Sequence, residues 1–243
     1  MLPRALSIYS SRFPTIHVPT GPFDPKGELT SNFIIWMAQN TDKYASVGSL
    51  RFHKSNASSG NIQLQVDQSI RLNPPRNWGI TTASLTCRDD ALSTPVNWKV
   101  ASKVTHDAGK IVDLTEVSIT GKAAGGIITL HREKDRQIKM PGPFTSNWSL
   151  IDAVQRLPFD SKVLKFDLLE DLELHRPEQR LAPGQTAEVE LGGRTIKLHS
   201  FEQVGRGIPP TTYWLDDQHR LVFVIAGLRA LLYDSNPARG GVE

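Results

Sequence analysis

The residue types able to carry chemistry are few and scattered in this chain of 243 residues, which has seven histidines and one cysteine. His175, His199 and His219 fall in the terminal third, with Glu202, Asp216 and Asp217 close by in sequence. Strands that brought His199, Asp216 and His219 together would make an acid–base set or a metal site. No H-E-x-x-H or H-x-x-x-H spacing supports a metal, however, and in the inferred strand register His199 shares the polar phase with Lys197. The simpler expectation is solvent-facing histidines, no metal, no cofactor and no catalytic residue beyond these three candidates.

The other chemical signals are equally sparse. Asp89-Asp90, Glu170-Asp171 and Asp216-Asp217 are adjacent carboxylates. Neighbouring strand residues point to opposite faces, so no such dipeptide can clamp a glycosidic bond by itself. Asp216-Asp217 reads as turn chemistry. No G-x-S-x-G nucleophile elbow occurs. Cys87 shares the phase of Leu85 and reads as a small buried hydrophobe, and a single cysteine excludes a disulfide within the chain. Gly205-Arg206-Gly207 lacks the strand–turn–helix setting of a phosphate loop. Asn147-Trp148-Ser149 matches a glycosylation sequon and can equally start a helix. Large apolar side chains are the more informative set: Trp98 and Trp214 share phases with aliphatic residues, and Trp148 and Leu150 lie on the one expected helix. Together these four are the candidate lining of a ligand cleft.

The elements that must position them are strands. Ile62, Leu64 and Val66 alternate with Gln63, Gln65 and Asp67, and the phase continues through Ile70 and Leu72; Val96, Trp98 and Val100 behave likewise, as do Leu164, Phe166 and Leu168. Such alternation marks antiparallel strands with one face covered. Gly192-Gly193 predicts a two-residue turn pairing Leu191 with Arg194, Val189 with Ile196 and Ala187 with Leu198. A second hairpin is expected about Asp217-Gln218, with Trp214 opposite Leu221. Leu150, Ile151, Ala153, Val154 and Leu157 recur at helical spacing, which predicts a helix over 148–157, capped by Asn147 or Ser149 and ended by Pro158. The fold class expected is mainly β: a long curved antiparallel sheet, half-barrel or open barrel, wrapped around one short helix. Residues 1–42, with Pro14, Pro19, Pro22 and Pro25, read as an extended arm, 43–235 as a single β domain and 236–243 as a flexible tail.

This order of elements resembles the lipoprotein-carrier-like half-barrel superfamily, which includes lipoprotein localisation factors and exported domains of unknown function. The segments Thr186–His199 and Tyr213–Val222 look like its terminal hairpins. The resemblance implies an apolar groove under a curved sheet, a lipidic or other small hydrophobic cargo, no catalytic residues, and a periplasmic or secreted setting.

Charge narrows the partners. With 28 Lys+Arg against 25 Asp+Glu, net charge is +3, and the densest basic cluster, 131–136, is interrupted by acids. Neither a basic face interleaved with aromatics nor a reader motif appears, so nucleic acid is not expected. The apolar run 33–38 is too short to span a membrane, and residues 4–9 do not make a signal peptide; a leader removed earlier would leave the same sequence. The reading that follows is a non-catalytic binding or carrier protein with a hydrophobic ligand on the concave face of the sheet. The alternatives are a glycan-active enzyme working through His199, Asp216 and His219, or an assembly protein that self-associates through its N-terminal arm.

Overall fold

A computed structural model describes residues 3–37, 47–57, 60–72, 77–106 and 109–234. Fifteen strands form one sheet, antiparallel except for its last pair. The first half is a meander: β1 (Leu29–Met37), β2 (Gly48–Asn56), β3 (Asn61–Leu72), β4 (Asn77–Arg88), β5 (Pro95–His106), β6 (Val117–Ala124), β7 (Ile127–His131) and β8 (Arg136–Lys139). A link then crosses to β9 (Phe144–Ser146) and the helix α2 (Asn147–Arg156). The second half continues as β10 (Leu164–Glu170), β11 (Leu174–Leu191), β12 (Arg194–Val204), β13 (Thr211–Asp216), β14 (Leu221–Ala226) and β15 (Arg229–Tyr233). The last strand returns to pair with the first, Phe33 opposite Tyr233. The two meanders therefore join through β1 and β15, leaving β8 and β9 as the edges.

Side chains tie the edge strand β9 to the β4–β5 loop, and the link begins by extending the β7–β8 pairing. Thr145 donates its hydroxyl to the Leu92 carbonyl (2.6 Å), Thr94 donates to the Phe144 carbonyl (3.2 Å), and Met140 N–H donates to the Gly126 carbonyl. At the other end of the seam Arg132 meets Glu173. The expected curved sheet around a helix is the architecture found.

Cross-strand register stacks the inward side chains in rows. Leu64, Leu85, Trp98 and Gly121 are successive partners, as are Val66, Ala83, Val100 and Ile119, and all eight are buried. Gly121 is required where it stands, because a Cβ there would lie 2.0 Å from the Trp98 indole.

Helix α2 fills the lumen. Ser146, one residue before the expected cap, accepts from Ser149 N–H (3.0 Å), and residues 148–155 are all buried. A helix buried all round must satisfy its polar side chains internally. Gln155 does so by accepting from Leu221 N–H on β14. Asp152 does so with charge: Lys54 Nζ lies 3.0 Å from Oδ1, while Arg156 Nε (2.9 Å) and Ser93 Oγ (2.7 Å) donate to Oδ2. Lys54 projects inward in phase with Leu50 and Phe52 and also donates to the Pro25 carbonyl. Arg156 goes on to Asp89 Oδ1, the Asp90 carbonyl and Ser93 Oγ, which ties the β4–β5 loop to the helix.

The N-terminal stretch differs from an extended arm. It holds a short helix α1 (Arg4–Ser7), a 3₁₀ segment (Ser10–Thr15) and the internal strand β1. Leu6, Tyr9, Phe13, Ile16 and Val18 cover the outer face of β11–β15, where Val189, Leu198, Trp214, Val222 and Phe223 form a second core. Arg194 donates to the Val18 carbonyl, and Arg220 to those of Pro19 and Gly21. The expected alternation is therefore absent from β14, Leu-Val-Phe-Val-Ile-Ala, because this part of the sheet is buried on both sides. The tail expected at 236–243 lies outside the described residues.

The buried charges generate a stability prediction. Asp152→Asn leaves Lys54 and Arg156 facing a neutral amide and is expected to cost about 3–5 kcal/mol, whereas Lys54→Met leaves Asp152 paired with Arg156 and costs less. Urea unfolding midpoints of the two variants check the order.

Candidate functional site

The meander gives the barrel two ends. The β4–β5, β6–β7, β11–β12 and β13–β14 turns lie at one, the near end; the β5–β6 link and the β7–β8, β10–β11, β12–β13 and β14–β15 turns lie at the other, the far end. Helix α2 runs between them. Asn147 exchanges hydrogen bonds with Asp171 at the far end, and Arg156 holds the β4–β5 loop at the near end.

The acid–base candidates meet at the near end. The Gly192-Gly193 hairpin has the expected register, Val189 opposite Ile196 and Ala187 opposite Leu198. The β13–β14 hairpin does not: Trp214 faces Phe223 rather than Leu221, and Thr212 faces Ile225. Asp216 causes the shift. Its Oδ1 accepts from the N–H groups of Gln218 and Arg220, its own N–H donates to the Arg220 carbonyl, and His219 takes a left-handed φ of 67°. The resulting turn is longer than two residues.

That turn sets His219 against one face of Phe159 while His199 stacks on the other, each centroid 4.0 Å from the phenyl ring. Phe159 separates the two imidazoles and blocks direct proton exchange. His199 Nε2 reaches Asp217 Oδ1 (2.7 Å), and Arg220 Nη1 reaches Asp216 Oδ2 (3.0 Å). Burial holds the Asp216 carboxyl above the ordinary range against the opposing pull of the Arg220 N–H and side chain. His219 is shifted down by burial and then by the nearby His199, with Asp216 and the Leu157 backbone acting the other way. No cluster of three or more metal-ligating side chains occurs among the described residues.

The four candidate lining residues are all buried and divide between the two cores. Trp98, Trp148 and Leu150 belong to the lumen; Trp214 lies on the opposite face, beneath the N-terminal segment. The difference follows from the alternation of β13, in which Tyr213 and Leu215 take the inward face. Cys87 is buried beside Ser149, and burial pushes its thiol up to about 12, so it behaves as the expected apolar filler.

Accessible concave surface lies further along the same strands. Toward the far end the inward rows emerge from the core: Gln68, Thr81, Ser102 and Val117 are half-buried partners, and beyond them come Ile70, Gly79 and Val104. Leu72 folds over Gly79, 3.6 Å from where a Cβ would stand, and Thr81 shares a hydrogen bond with Ser102 (3.2 Å). The shelf lies on β3, β4 and β5, which each run for 12 residues and carry the inward rows to Ile70, opposite Gly48 of β2, and beyond. Its sequence signal is the persistence of the β3 alternation through Ile70 and Leu72. A separate crevice of about 550 Å³ at the near end is lined by Arg88, Leu92, Gly126, Met140 and Phe144, among others.

No protein-family model matches the chain, and no curated protein matches it. Among solved structures, it is similar to a β-barrel-like protein of the domain of unknown function DUF1849 from Brucella abortus. The TM-score is 0.55 at 11% identity, over 86% of this chain and 95% of that one. What the two share is a barrel-like fold; the narrower lipoprotein-carrier likeness is not part of that result.

The lowered His219 fixes a pH dependence. The unfolded chain binds the proton more readily than the folded one, so stability is complete above the ordinary histidine range and falls as pH drops through it. Melting temperature is expected to decrease from pH 7 to pH 5. His219→Asn, which tolerates the left-handed backbone, should flatten that decrease.

Proposed function

We propose that this chain is a non-catalytic binding protein that holds a small hydrophobic or lipidic ligand on the concave face of its sheet. The observation that carries the reading is the shelf: Ile70, Leu72, Gly79, Val104 and Val117 continue the inward rows of the core but remain accessible to solvent. Apolar surface left open on a concave face suits an apolar ligand, and the Thr81–Ser102 pair offers it one polar anchor. The lumen itself is occupied by α2, so the ligand rests beyond the core. The barrel-like likeness is compatible with this role, and an exported setting fits the resemblance read from the sequence. The acid–base alternative has less to recommend it, because Phe159 stands between His199 and His219 and Asp216 is engaged in its turn.

Gly79 offers a direct test. The three heavy atoms nearest to an added Cβ all belong to the Leu72 side chain, at the ordinary contact distances of 3.6–3.7 Å, so Gly79→Phe fills the shelf without a backbone clash. The native chain is expected to enhance the fluorescence of N-phenyl-1-naphthylamine and the variant to bind it roughly tenfold more weakly. Equal binding by both, or none by the native chain, refutes the reading. Native mass spectrometry of freshly purified protein should show a co-purified apolar species that is absent from the variant.

A further inference from the structure

We propose that the far rim of the barrel is a peripheral docking surface for an electrically neutral lipid bilayer. Among the described residues eight large hydrophobic side chains are exposed, and five of them, Leu72, Ile111, Leu114, Leu174 and Leu228, stand at this one end. They come from separate places in the chain: the end of β3, the β5–β6 link, the start of β11 and the β14–β15 turn. Of the rest, Ile8 is on the N-terminal cover and Ile127 and Val163 are at the near end.

Leu114 is the most pronounced. It is fully exposed and holds a left-handed φ of 62°, which leucine rarely adopts. Thr115 braces it: its hydroxyl donates to the Val112 carbonyl (2.6 Å) and accepts from Val104 N–H (3.1 Å). A turn that spends backbone energy to stand a leucine in water points to a contact made elsewhere.

Two observations select a bilayer as the occupant. Each apolar tip has a polar or charged neighbour in sequence, Arg71, Lys110, Asp113, Glu173 and Arg229 among them, unlike the contiguous apolar centre of a protein interface, and single tips of this kind suit insertion among headgroups. Leu72 also belongs to both rim and shelf, so apolar surface runs from the rim into the concave floor. Charge then selects the lipid. The rim segments 71–72, 109–116, 131–136, 170–178, 205–208 and 227–229 carry eight Lys/Arg and eight Asp/Glu. Several are internally paired, Glu170 with Arg176, Glu173 with Arg132 and Glu178 with Arg206. With charge balanced over these described segments, they add no net attraction to anionic lipid, so apolar insertion supplies the binding.

The inference does not require a loaded shelf. The full chain is tested by co-sedimentation with phosphatidylcholine vesicles and with vesicles containing a minority of phosphatidylglycerol. Comparable binding to both, little affected by salt, is expected. Leu114→Asp with Leu228→Asp should weaken it about tenfold or more while leaving the circular dichroism spectrum unchanged. Leu114→Asn, which suits the left-handed backbone, should weaken it by a smaller factor. The double variant, whose two substitutions lie outside the shelf, should bind N-phenyl-1-naphthylamine like the native chain, which separates failure of the docking from failure of the ligand reading. The proposal is overturned if vesicles retain none of the native chain, if the double variant binds as well, or if binding requires phosphatidylglycerol and disappears with salt. It is also overturned if, without vesicle binding, the same substitutions shift self-association in size-exclusion chromatography, which would make the rim a protein interface.

Discussion

A carboxylate and an ammonium with no exposed side-chain surface sit at the centre of this barrel, and the arrangement of everything around them depends on their meeting. Neither Lys54 nor Asp152 is tolerable alone in an apolar interior. Their pairing therefore fixes the rotation and depth of α2 relative to β2, and the reach of Arg156 from the same carboxylate fixes the β4–β5 loop. A lumen filled with hydrocarbon alone would hold a helix in several orientations of similar energy. One charged contact with three donors removes that freedom.

The outer face follows a different rule. Where the N-terminal segment covers β13 and β14 the sheet is buried on both sides, and the segment is attached by arginines to main-chain carbonyls at Val18, Pro19 and Gly21. Proline-rich chain cannot join a ladder freely, because proline has no N–H to donate. Its carbonyls remain available, and guanidinium groups with several donors can collect them. The prolines keep the segment out of the sheet, and the arginines hold it down.

Much of this architecture was legible in the sequence, and the exceptions have physical causes. Alternation in β3 and β5, the Gly192-Gly193 turn, the burial of Cys87 and the helix ending before Pro158 all follow from local periodicity and turn chemistry, and all are found. The β13–β14 register was missed because Asp216 reorganises its turn through its own side chain, which spacing alone does not reveal. Trp214 was assigned to the lumen because a two-sided strand has no alternation from which to read a face. The buried charge had a faint signal: Leu50, Phe52 and Lys54 share one phase. Its partner on α2 could not be identified, because a helix buried all round displays no polar stripe. The candidate site was the least legible part. Trp98, Trp148 and Leu150, expected to line a cleft, lie buried in the lumen and fill it, and the accessible shelf lies on the longer strands β3, β4 and β5.

The pairing of β1 with β15 has a consequence for how the molecule comes into being. β1 leaves the ribosome well before β15, so its edge stays unpaired until the second meander has been made. The apolar residues 6–18 likewise wait for a surface that does not yet exist. Non-local closure of this kind slows folding and prolongs the exposure of a sticky edge. A chain built this way gains from being kept unfolded until it is complete, and any truncation that removes β15 would release the beginning of the protein as well as its end.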